Sequence, residues 1–141
     1  MTYHFRTHTE KKLLWAECLE LEGCVTQGKS LDELNHNMHE ALNLYLEEPD
    51  DSNVVFPLPG PRPREKNIAT VEVDSGVAFS MLLRQLRVTR GMTQKEAACQ
   101  LGMRNLYSYQ RLERRSNPSL ATLTKIKRLF PEISLDAVIG G

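Results

Sequence analysis

Between Gly91 and Arg115 the chain reads GMTQKEAACQLGMRNLYSYQRLERR, and its polar side chains are of the kinds that grip polynucleotides. Amides such as Gln94 and Asn105 suit adenine, and Arg111 can fork onto guanine O6 and N7. Tyr107 and Ser108 add hydroxyls between them. Lys95, Arg104, Arg114 and Arg115 suit phosphate oxygens, contacts that set register without carrying sequence information. Each phosphate so neutralised adds about 0.9 to the magnitude of the logarithmic salt slope of binding.

Two short helices are needed to present these groups. Thr93 and Glu96 form a capping box, and Met92 and Ala97 stand at staple positions. Ala97, Ala98 and Leu101 are small enough for close helix approach, and Gly102 supplies the stop. The next helix is expected over about Asn105–Arg114. Leu106, Tyr109 and Leu112 recur at spacing that faces inward, which leaves Tyr107, Ser108, Gln110 and Arg111 outward. Such a pair is a helix-turn-helix. A preceding helix over about Val77–Val88 offers Phe79, Leu82, Leu83 and Leu86 to the core, and Gly91 permits the turn. A following helix, about Ser119–Phe130, packs back through Leu120, Leu123, Ile126 and Phe130. Pro131 ends it, and Ile133, Leu135 and Val138 make a last turn.

The stretches RGMTQKEAACQLGM, YQRLER and NPSLATLTKI resemble the phage-repressor-like helix-turn-helix family (XRE type) over about Phe79–Leu135. That resemblance implies that Gln94 buttresses phosphates and bases, and that Asn105, Tyr107, Ser108 and Arg111 read the major groove. From Gly102 to Glu113 there is one residue more than the usual spacing. Arg104, Asn105 and Leu106 therefore stand as alternatives for the start of the recognition helix.

The front half is of another kind. Tyr3–Thr7 and Leu13–Leu21 alternate as strands around a polar turn at Glu10–Lys12, and Gly23–Gln27 reads as a third strand ended by Gly28. Ser30 and Glu33 form a second capping box. Leu34, Met38, Ala41, Leu42 and Tyr45 give the helix that follows one apolar face, ending near Glu48 before Pro49. Five prolines, at 49, 57, 59, 61 and 63, make residues 49–66 an extended strap. Ile68–Val73 reads as a strand added to the first sheet. The expected fold class is α+β: a βββαβ domain over residues 1–74, strap included, then an all-α domain over residues 75–141.

Charge divides the same way. Residues 1–60 carry four Lys/Arg against eleven Asp/Glu, a net of −7, and residues 61–141 carry fourteen against seven, a net of +7. The basic half suits nucleic acid, and the acidic half would repel it and attract a basic protein. No apolar run approaches the length of a membrane span. MTYHFRTHTEKK lacks the apolar core of a signal peptide, so a cytoplasmic protein without a membrane partner is expected. Cys18, Cys24 and Cys99 are read as reduced thiols.

LLWAECLELEGCVTQGKSLDELNHNMHEALNLYL resembles the HicB antitoxin family, over roughly Phe5–Pro61. Trp15–Cys18, Gly23–Cys24, Thr26–Gly28 and Ser30–Glu33 follow the family's motif order. The resemblance implies a type II antitoxin whose front domain, a partial ribonuclease-H-like fold, covers the catalytic histidine of a small, basic HicA-type mRNA interferase toxin. It also implies operator binding by the rear domain, repression of the chain's own operon, and a dimer or larger assembly. Trp15, Glu17, Glu20 and Glu22 are the candidate toxin contacts, an aromatic anchor among acids that would steer a cationic partner.

Enzyme chemistry is not expected. Ribonuclease H needs converging carboxylates for two metal ions. The first strand, TYHFRT, has no acid, and Glu17, Glu20 and Glu22 have no evident partners. His36, His39 and Glu40 share a helix face but lack further ligands and read as a solvated surface. His4 and His8 read likewise. No Ser-His-Asp set or glycine-rich phosphate loop is visible, so no catalytic residue, metal or cofactor is assigned. The competing reading is a stand-alone repressor whose front domain senses a small ligand.

Overall fold

The computed structural model describes residues 1–114 and 116–140. Arg115, expected to hold phosphate, lies outside the described residues. The chain is an α+β protein, with a four-stranded antiparallel sheet near its N-terminus followed by helices. Its contacts divide it into two units. One comprises Met1–Leu46 with Pro57–Asp74 and Gly140, and the other Glu47–Phe56 with Ser75–Ile139.

In the first unit, β1 (Thr2–Glu10), β2 (Leu13–Cys18), β3 (Val25–Gly28) and β4 (Ile68–Glu72) lie in the order β3-β2-β1-β4. Helix α1 (Leu31–Leu46) joins β3 to the strap that leads to β4. Alternation explains the layering. Tyr3 and Phe5 are fully buried, and register sets Phe5 opposite Cys18 and Tyr3 opposite Val71. Leu34, Met38, Leu42 and Leu46 of α1 are buried with them. The β1–β2 turn falls at Lys11–Lys12, with Lys11 at φ 56°. β1 runs longer than the alternation suggested, and β2 stops at Cys18 because the chain bends there, with Leu21 still buried.

Ser30 Oγ accepts the Glu33 amide at 3.1 Å and starts α1. At its far end, buried Asn43 accepts the Asp74 amide at 2.8 Å. Tyr3 Oη donates to the Pro57 carbonyl at 2.7 Å, which fixes the returning strap to β1.

The second unit contains α2 (Ser75–Thr89), α3 (Gln94–Gln100), α4 (Leu106–Gln110), α5 (Leu120–Leu129) and α6 (Leu135–Val138). Phe79, Leu83, Ala97, Ala98, Tyr109, Ile126 and Phe130 form one buried cluster. Side-chain oxygens of Thr93, Asn105, Ser119 and Ser134 cap α3 to α6. Gly91 and Gly102 sit at φ 68° and 69°, where a side chain would be strained.

Three expectations need correction. The helix expected over Asn105–Arg114 is one short helix, Leu106–Gln110, with Asn105 as its cap. Leu106 does not face inward, being 41% exposed, and Leu120 is 82% exposed. Each is the first residue of its helix, and the inward stripes begin a turn later, at buried Tyr109 and partly buried Leu123. Among the described residues, no helix is long and apolar enough to cross a membrane.

Candidate nucleic-acid interface

After the five residues of helix α4 the chain leaves helical structure, and the carbonyls of Leu112, Glu113 and Arg114 take their donors from one stripe of helix α2. Ser80 Oγ lies 2.8 and 2.6 Å from the Leu112 and Arg114 carbonyls and shares its one proton between them, and Arg84 Nη2 donates to the Glu113 carbonyl at 2.7 Å. One turn further along, Arg87 Nε donates to the Glu113 carboxylate at 2.6 Å, with both side chains almost wholly buried. Arg87 Nη1 holds the Met92 carbonyl at 3.0 Å, so the same side chain fixes the turn into α3.

Glu113 gathers the outer polar groups as well. Gln94, the first residue of α3, donates its Nε2 to Glu113 Oε2 at 2.9 Å and to the Asp50 carbonyl at 2.6 Å. Gln94 Oε1 accepts from Gln110 Nε2 at 3.1 Å. Gln110, expected outward as a surface residue, is thereby half-buried. Burial, with Glu113's charge second, pushes the Tyr109 phenol up. Burial pulls Arg84 down against the opposing pull of Glu113.

Outside this network the expected residues are arranged as follows. Lys95, Arg104, Tyr107 and Arg111 are exposed. Tyr107 and Arg111 are one turn apart, and the Arg111 guanidinium lies 5.7 Å from the Tyr107 ring centre. Asn105 and Ser108 are engaged with each other: Asn105 Oδ1 accepts the Ser108 amide at 2.8 Å and its hydroxyl at 3.0 Å. Of the three alternatives for the start of the helix, Leu106 is its first residue and Arg104 precedes the cap. Arg114 pairs with Asp50 at 3.5 Å. Ser108, Arg111 and Arg114 line a cavity of about 480 Å³ together with Ser119 and Thr122 at the start of α5. The structure therefore brings Ser108, Arg111 and Arg114 to one cavity, with the Tyr107 ring near Arg111 and Gln94 held beside Gln110.

Sequence reasoning missed Ser80, Arg84, Arg87 and Glu113. A signal was available: Ser80, Arg84 and Arg87 recur at helical spacing.

In the first unit, Trp15 stacks on His8 with centroids 4.1 Å apart. Glu17, two residues on and so on the same sheet face, pairs with Arg6 at 3.5 Å and His8 at 3.4 Å. Glu20 is sequestered. Its carboxylate accepts from the His4 amide at 2.9 Å and the Gly60 amide at 3.3 Å, and lies 2.7 Å from His4 Nδ1. Glu22 is exposed, and its carbonyl accepts the Tyr45 hydroxyl at 2.6 Å. Trp15 and Glu17 thus share a surface, whereas Glu20 ties β1 to the strap. His39 Nε2 lies 2.9 Å from Asp74 Oδ1, which gives that histidine a structural partner.

No protein-family model and no curated protein sequence matches the chain.

Proposed function

We propose that the chain is an antitoxin of the HicB type that also represses its own operon. In this reading the sheet unit captures a small basic HicA-type toxin, and the helical unit binds operator DNA through a helix-turn-helix made by α3 and α4. The observation that carries it is the cavity that Ser108, Arg111 and Arg114 line, with the exposed Tyr107 ring near Arg111 and a glutamine opening α3. Those groups offer base-edge hydrogen bonds and phosphate contacts from one short element. The sheet unit carries seven Lys/Arg against ten Asp/Glu, a net of −3, which suits a cationic protein partner, with Trp15 as an aromatic anchor beside Glu17. The reading assigns no catalytic residue, requires no cofactor, and is served by a dimer on a palindromic operator.

Expression of the adjacent small basic reading frame should arrest growth, and co-expression of this chain should restore it. A neighbour harmless alone, or still toxic in this chain's presence, refutes the antitoxin assignment. Arg111→Ala should weaken binding to the DNA upstream of the chain's own reading frame by about 1–3 kcal/mol and leave neutralisation intact. Equal affinity of variant and parent at fixed salt refutes the DNA assignment.

A further inference from the structure

Residues 47–56 (EEPDDSNVVF) belong to the helical unit by their contacts, though the residues on either side of them belong to the sheet unit. The segment is folded on itself: the Ser52 amide donates to the Pro49 carbonyl at 3.1 Å, and the Val54 amide to Ser52 Oγ at 3.0 Å. Its acidic turn lies on residues that the DNA reading requires. The Asp50 carbonyl takes Gln94 Nε2 at 2.6 Å, and the Asp50 carboxylate faces Arg114 at 3.5 Å. The Ser52 carbonyl and Asn53 Oδ1 receive Arg87 Nη2 at 3.3 and 2.9 Å.

These contacts imitate a phosphodiester. A neutral amide donor meets one oxygen while a guanidinium faces a negative charge a few ångströms away, the pair of acceptors that a DNA backbone would present at a helix start. The imitation is tethered to the site it occupies, so it competes at a high effective concentration without a large affinity of its own. The exposed Asp50–Arg114 pair is weak and the Asp50 carbonyl bond is neutral, so the acidic turn can leave Gln94 and Arg114, while Arg87 holds the far end of the segment through Ser52 and Asn53.

We propose that residues 47–53 are an autoinhibitory strap, which must leave Gln94 and Arg114 before duplex DNA can take them. The proposal rests on the DNA assignment above. It makes operator affinity adjustable through the segment that follows α1, because the strap's closed population lowers apparent affinity by the fraction of molecules left open.

The test uses the full chain and a fluorescein-labelled duplex taken from upstream of its own reading frame, at fixed salt. Asp50→Asn/Asp51→Asn should tighten binding by about two- to fivefold, the worth of an exposed ion pair. The charge-matched control Glu132→Gln/Asp136→Asn should change it much less. In hydrogen exchange, the Ser52 and Val54 amides should lose protection when the duplex is saturating. Equal tightening by the two double variants, or added protection of those amides with duplex, overturns the strap while Arg111→Ala still reports DNA recognition. If parent and variants alike fail to bind the duplex, the DNA assignment falls and the strap falls with it.

Discussion

Glu113 is 1% exposed, and its charge is balanced at close range by Arg87, itself 2% exposed. Removing one member of a buried pair strands the other, which is far more costly than losing a surface ion pair. Glu113→Gln should therefore destabilise the chain by about 3–5 kcal/mol in urea unfolding. Arg87→Met/Glu113→Leu should recover part of that loss, because no unpaired charge remains. The recovery is incomplete, since the Met92 carbonyl and Asn53 lose their donor with Arg87. A single variant as mild as a surface-pair deletion would show that water reaches the site. The contrast lies close by: Arg90 and Glu132 pair at 2.9 Å with both side chains well exposed, and such a pair is worth about 0–1 kcal/mol.

The join of β3 to α1 depends on a glycine for space. A Cβ at Gly28 would lie 2.6 Å from the Leu34 amide nitrogen and 2.9 Å from its Cα, both backbone atoms of α1. Neither can yield without moving the helix off the sheet. Gly28→Ala should cost about 1–3 kcal/mol and lower the thermal midpoint. Gly60→Ala, whose new methyl meets open space, should melt with the parent. In sequence, Gly28 reads as a strand stop, and only three-dimensional proximity reveals the second demand on it. The same limit runs through the fold. Strand alternation located β1 and β2, the apolar face of Leu34, Met38 and Leu42 located α1, the Thr93 cap located α3, and the stripe of Leu123, Ile126 and Phe130 located α5. Those signals are local. Leu106 and Leu120 misled because an apolar residue in the first turn fits the helical period whether or not anything lies above it. Arg84 and Arg87 look like a solvated face by residue type, and their burial is decided by Glu113, through its carbonyl and its carboxylate. Of the candidate site, residue types were legible and partners were not: Asn105 and Ser108 satisfy each other, and Glu20 is committed to His4 and Gly60.

At the scale of the molecule, charge and contact divide the chain at different places. Residues 47–56 contribute Glu47, Glu48, Asp50 and Asp51 to the acidic half, yet they pack in the helical unit. A division drawn at Ser75 therefore removes from that unit the acceptors of a buried guanidinium. Ser52 and Asn53 satisfy Arg87 Nη2, and a hydrogen bond to a charged donor is worth about 1.5–3 kcal/mol. A fragment beginning at Glu47 should thus be more stable than one beginning at Ser75 by about 1–3 kcal/mol. Most of that difference should vanish with Asn53→Ala in the longer fragment. Urea midpoints of the three proteins measure it. Identical midpoints for the two fragments would mean that water replaces Ser52 and Asn53 at no cost, leaving the segment without hold on the helices. A gap that Asn53→Ala does not narrow would move the attachment to Asp50 and Gln94. The position of the gap therefore tells which of Arg87 and Gln94 anchors the acidic turn.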